Sequence, residues 1–164
     1  MASKELVQKA YDCFATGDMD TFRTLYHTDV VVKTNGLHKF SGTYNGLDNW
    51  MNNMVMHVPS HFENFKIETK LMIAEGDYVF ALVHATADGM DADFGHLFKV
   101  QNEKISEFHI LDDSQKWAAT MKACNFSTAP QFHIQVELQL YSANDCGFLN
   151  HLPKLFQPTI RLHF

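Results

Sequence analysis

The chain has 164 residues, 46% of them apolar and 20% charged, with a formal net charge of −6. That length suits one globular domain with a substantial core, and the acidic balance excludes a nucleic-acid surface, which needs clustered Lys and Arg. No apolar run approaches the roughly 20 residues of a membrane span, and Met-Ala-Ser-Lys-Glu-Leu lacks the basic-then-apolar pattern of a secretory signal. Cys13, Cys124 and Cys146 show no motif spacing, which fits free thiols in a reducing cytoplasm, with Cys13 packing in a helix.

From the N-terminus, Ser3 with Glu5 opens a helix whose apolar residues Leu6, Val7, Ala10, Tyr11 and Phe14 keep helical spacing. Gly17 stops it, and Asp18 caps a second helix carrying Met19, Phe22, Leu25 and Tyr26. A short strand at 30–33 and a loop or hairpin punctuated by Gly36 and Gly42 follow. Gly46 then precedes a third helix, from Leu47 to about Val58, with Trp50, Met51, Met54 and Val55 on one stripe. Pro59 closes that helix, which makes His57 and His61 surface or loop residues despite their i, i+4 spacing.

The next part reads as strands: 62–74, a Glu-Gly-Asp turn, 78–87, an Asp-Gly turn, 92–100 and a last strand from Lys104. Period-two sorting of that last strand puts Ile105, Glu107, His109 and Leu111 on a half-polar face. Ser106, Phe108, Ile110 and Asp112 fall on an apolar face that ends in a carboxylate. Asp112 or Asp113 leads into a helix at 114–122 bearing Trp117. Helices first and an antiparallel four-strand meander afterwards make an α+β domain with helices on one side of a curved sheet.

Residues 123–164 differ in character. They hold four of the 32 charged residues but three of the four prolines and two of the three cysteines. One alternating run, 133–141, suggests an added edge strand, so the expected organisation is a domain at 1–122 and an atypical extension at 123–164.

Five short motifs carry a resemblance: Ala15-Thr-Gly-Asp-Met-Asp20, Leu25-Tyr-His-Thr-Asp-Val30, Gly42-Thr-Tyr-Asn-Gly46, Ala74-Glu-Gly-Asp-Tyr-Val79 and the Lys104–Asp113 strand. In this order they resemble the SnoaL-like polyketide cyclase group of the nuclear transport factor two-like superfamily, over roughly 4–122. The resemblance implies a cone-shaped curved antiparallel sheet with three N-terminal helices on its concave face. It also implies a pocket for a small hydrophobic ligand in the cone, and a homodimer through the sheet. The function it implies is cyclase- or isomerase-like acid/base chemistry on a hydrophobic carbonyl compound, or else non-catalytic binding or dimerisation on the same fold. The positions that carry function in ketosteroid isomerases of this superfamily fall at Val32-Lys33-Thr34, Ala10 and Gly95, none of them an acid or a tyrosine. In SnoaL-like cyclases a last-strand Asp is the acid/base, and Asp112 is its match.

Asp112 is therefore the candidate catalytic residue, its carboxyl desolvated beyond Phe108 and Ile110; capping the following helix is the competing structural role. Trp50, Met54, Tyr11, Tyr26, Phe108 and Ile110 are the candidate ligand-binding residues. No organic-cofactor motif and no metal spacing appear, so the expected chemistry is cofactor-independent. One alternative arises from register: with a hairpin centred on residue 90 and Gln101 opposite Lys104, His84, His96 and His109 form a row able to ligate Zn²⁺ or to act as a pH-sensitive interface.

Overall fold

The computed structural model describes residues 2–121; the expected strand at 133–141 and the rest of the extension lie outside them. The element order is α1 (Ser3–Thr16), α2 (Met19–Thr24), β1 (Tyr26–Thr34), β2 (Gly42–Asn45), α3 (Leu47–Asn53), α4 (Val58–His61), β3 (Lys66–Glu75), β4 (Tyr78–Ala87), β5 (Met90–Gln101), β6 (Lys104–Leu111) and α5 (Ser114–Thr120). The strands form one curved sheet in the order β2-β1-β6-β5-β4-β3, an α+β arrangement with the helices on one side. Among the described residues, no helix is long and apolar enough to cross a membrane.

Local chemistry explains the boundaries. Gly17 takes a left-handed φ of 73° beyond α1, and Asp18 accepts the Thr21 amide at 3.1 Å to cap α2. Asp113 does the same for α5 through the Lys116 amide.

Three expectations are corrected. Leu25 and Tyr26 are not helical: the Ile105 amide donates to the Leu25 carbonyl and Tyr26 opens β1, so pairing with β6 overrides helix propensity. That β1–β6 pairing is parallel, so the sheet is mixed at one seam and antiparallel elsewhere. The third helix ends at Asn53, where Met54 leaves helical geometry. A 3₁₀ turn and α4 complete the path, with Pro59 in the first turn of α4, where its missing amide proton costs nothing. His61 is consequently buried, its ring edge-on to Phe40.

The core lies between the helices and the concave sheet face, built on Val7, Val30, Val32, Val79, Val83, Phe94 and Phe98. On β6 the alternation is broken once. Lys99 pairs with Glu107 but Val100 with Ile105, so Ser106 is an extra residue and Ile105 is buried rather than outward-facing.

The same bulge decides the histidines. Gln101 pairs with Lys104 as expected, yet His96 ends up opposite Ile110 and His109 opposite Leu97. At the other hairpin the two-residue Asp88-Gly89 turn closes on Ala87 and Met90, which sets His84 against Asp93. The expected row of His84, His96 and His109 therefore does not form: His96 faces the concave side, and the other two lie on the outer face.

Candidate functional site

The concave side encloses a cavity of about 640 Å³, its open mouth included. Its walls come from every layer: α1 gives Tyr11 and Phe14, α3 gives Trp50, β5 gives Phe94, His96 and Phe98, and α5 gives Trp117. The six residues expected to meet a ligand, Tyr11, Tyr26, Trp50, Met54, Phe108 and Ile110, all line it. They converge because α1 and α3 turn their apolar stripes onto the inward-facing residues of the sheet. Trp50 packs at 5.2 Å from the Tyr26 ring and edge-on at 5.7 Å to Phe108. Trp117 sits 4.5 Å from Phe62 and 5.5 Å from Phe94.

No Asp, Glu, Lys or Arg is among the 17 lining residues, and ten of them are Phe, Tyr or Trp. The polar groups that matter are Tyr11, Tyr26 and His96. The Tyr11 hydroxyl and His96 Nδ1 are 2.8 Å apart, and the two rings stack at 5.9 Å with planes 11° apart. Burial pushes the His96 pKa down to about 3, so the imidazole is neutral. Burial likewise raises the pKa of the Tyr11 and Tyr26 hydroxyls, which stay protonated. The indole N–H groups of Trp50 and Trp117 are buried without a hydrogen-bond partner.

Asp112 does not cap the last helix and sits apart from the cavity lining. The cap of α5 is Asp113, and Asp112 is not among the cavity-lining residues. Its Oδ2 is 2.9 Å from His38 Nε2, with both side chains fully buried, and its Oδ1 has no partner. Asn35 clamps the Asp112 backbone, accepting its amide at 2.9 Å and donating to its carbonyl at 3.1 Å. The His38 ring lies 5.6 Å from Trp117, so the pair stands behind one wall of the cavity.

Sequence reasoning missed His38, which sits in a loop with no periodicity to place it. It also missed Trp117 as a lining residue and His96 as a cavity group. For His96 a signal existed: it alternates with Phe94 and Phe98 along β5, and period two assigns all three to one apolar face.

The model of the SnoaL-like domain matches residues 7–108, most of the described chain. The chain belongs to the SnoaL-like domain family. No curated protein matches it. Among solved structures, SnoaL-like relatives of the nuclear transport factor two-like type share the fold. Bal32a from a soil-derived mobile gene cassette is 20% identical over 73% of this chain and 96% of its own, with a TM-score of 0.67. An NTF2-like protein from Burkholderia thailandensis is 15% identical over 74% and 98%, TM-score 0.68. TerC, co-crystallised with polyporic acid, is 20% identical over 72% and 96%, TM-score 0.62. A SnoaL-like cone is a small-molecule-binding or cyclase/isomerase-like fold.

Proposed function

We propose that this SnoaL-like chain binds a hydrophobic, largely aromatic small molecule in the cone cavity. One observation carries the reading: a lining rich in aromatic rings and free of charged side chains. Such a surface gains from burying apolar area and from ring stacking, and it repels ions. Acid/base turnover on a carbonyl compound asks for a base at the reacting atom. The cavity offers two protonated phenols and an imidazole too weakly basic to serve, which favours binding over catalysis.

The catalytic reading keeps one supporting observation. Asp112 follows Ile110 on the same strand face and carries a buried carboxyl oxygen without a partner. The role proposed for it requires a substrate atom to reach that oxygen past the cavity wall.

Both tryptophans of the chain line the cavity, so intrinsic fluorescence reports occupancy directly. Titration with two uncharged aromatic compounds, naphthalene and 2-acetonaphthone, should give saturable, one-to-one changes that Trp50→Phe halves. A flat titration with both compounds sinks the reading. Recovery of 2-acetonaphthone with its methyl protons unexchanged in deuterated buffer supports binding; exchange that stops in Asp112→Asn would transfer the proposal to acid/base catalysis.

The reading includes a reducing cytoplasm, consistent with the buried free thiol of Cys13, and a second copy of the chain on the outer sheet face. That face carries two cross-strand rows. Ile73, Phe80, Leu97 and His109 form one, and Leu71, Leu82, Gly95 and Leu111 the other. Leu71, Ile73 and Leu111 are about half exposed, more apolar area than a solvent-facing sheet needs.

A further inference from the structure

We infer that the chamber is selective for hydrocarbons: its ligand carries no hydrogen-bonding group inside the cone, and any polar substituent stands at the mouth. The inference rests on the binding reading above and narrows it. Tyr11, Tyr26, Trp50, His96 and Trp117 have side-chain nitrogen or oxygen, yet no polar atom of the lining reaches the cavity surface. The Tyr11 hydroxyl and His96 Nδ1 meet each other at 2.8 Å. The indole N–H groups of Trp50 and Trp117 have no partner and are sealed beneath the surface. Such orphaned donors are what a ligand oxygen would seek, but neither ring is free to swing toward one. Trp50 is wedged among Phe22, Tyr26 and Phe108 at centroid distances of 5.8, 5.2 and 5.7 Å. Trp117 is held by Phe62, Phe94 and Phe65 at 4.5, 5.5 and 5.8 Å. In so close a packing, turning one indole requires several rings to move together.

A wall of this kind discriminates by hydration. A ketone oxygen leaves the donors of water behind on entry and meets none inside, so its lost hydrogen bond goes unreplaced. A hydroxyl loses more, being donor and acceptor at once. A hydrocarbon gives up no hydrogen bond, and it gains buried apolar area and ring contacts. The exception is the mouth. Of the lining residues only Tyr11, Phe14, Phe65 and Ile67 are part-exposed, which sets the opening between α1 and the start of β3. Phe14 and Phe65 meet edge-on across it at 6.3 Å. A polar group placed there keeps its water.

The test compares two isosteres, 1,4-diisopropenylbenzene and 1,4-diacetylbenzene, which differ only in C=CH₂ against C=O. Their substituents point to opposite ends of the ring, so at least one must lie inside the chamber. Equilibrium dialysis at pH 7 should give the hydrocarbon a Kd roughly tenfold or more tighter, the cost of one unreplaced hydrogen bond. Where the diketone binds, ¹³C difference infrared spectra should show one carbonyl stretch at its position in hexane. A smaller ratio of affinities, or both stretches lowered as they are in methanol, overturns the inference while leaving the cavity reading intact. Binding of neither compound removes the cavity reading, and this selectivity with it.

Discussion

His38 Nε2 and Asp112 Oδ2 lie 2.9 Å apart, with no part of either side chain exposed to solvent. The pair ties the loop after β1 to the junction between β6 and α5. Its proton is fixed by a third group: the Phe40 amide donates to His38 Nδ1 at 3.2 Å, so the ring hydrogen is on Nε2 and points at the carboxyl. The loop is thereby folded around a polar contact that faces no water.

Removing one partner from such a pair leaves the other buried and unsatisfied. His38→Ala should therefore cost about 3 kcal/mol of stability in urea denaturation, within the range for broken buried pairs. Asp112→Asn keeps an acceptor for His38 but puts an amide where Oδ1 has no partner, and should cost about 1–2 kcal/mol. The double variant His38→Leu with Asp112→Leu should lose less than the two single leucine changes summed. Strict additivity would show that the two side chains do not act as a unit.

Gly36 makes the same junction possible. Its φ is +85°, and a Cβ there would meet the Ser114 Cβ at 2.3 Å, so both backbone geometry and space demand glycine. Gly76, at φ +55° with nothing within 4 Å, isolates the conformational part. Gly76→Ala should cost about 1 kcal/mol and Gly36→Ala about 3 kcal/mol or more, the difference being overlap that only a shift of α5 can relieve. Equal midpoints for the two variants would refute the close approach.

The buried imidazole of His96 makes stability depend on pH with a definite sign. Its pKa is about 3 in the folded chain and near 6.5 when exposed. Between those values the unfolded chain binds the extra proton, so stability rises with pH and falls on acidification. From pH 6.5 to pH 5 the loss is about 1.7 kcal/mol, the slope rising from half to nearly all of about 1.4 kcal/mol per pH unit as the unfolded chain becomes protonated. His96→Gln should flatten that part of the profile by this amount, measured as the difference between the two chains' denaturation curves. Identical slopes would mean that the imidazole reaches water.

How much of this was readable beforehand depended on what kind of signal each feature sends. Hydrophobic periodicity placed Tyr11, Trp50, Met54, Phe108 and Ile110 on faces that meet at the cavity, because burial and lining share one geometry in a cone. Caps and stops at Gly17, Asp18 and Asp113 were legible because they act over three residues. The His96–Tyr11 contact spans 85 residues, so period two along β5 gives the face of His96 but no local pattern names its partner. His38 is harder still, since its partner is 74 residues away and its loop has no period. Register, set by bulges and turn closure, is the step at which local reasoning fails here.

Register also decides what the outer sheet face can do. Phe80 covers Gly95, its ring 3.2 Å from where a Cβ would stand, and so bridges the two apolar rows into one patch. Charged and polar residues border it: Lys99 and Glu107, paired at 3.1 Å, on one side, and His84 with Asp93 at 2.8 Å on the other. An apolar centre with a polar rim is the composition of a specific protein interface. If a second copy packs there, Ile73→Lys together with Leu97→Lys should convert the species seen by sedimentation velocity from dimer to monomer. Neither side chain lines the cavity, so naphthalene titrations of the monomer should keep the unmodified chain's Kd. An unmodified chain that sediments as a monomer throughout the micromolar range would remove the second copy from the reading. The patch would then be only the outer skin of the sheet.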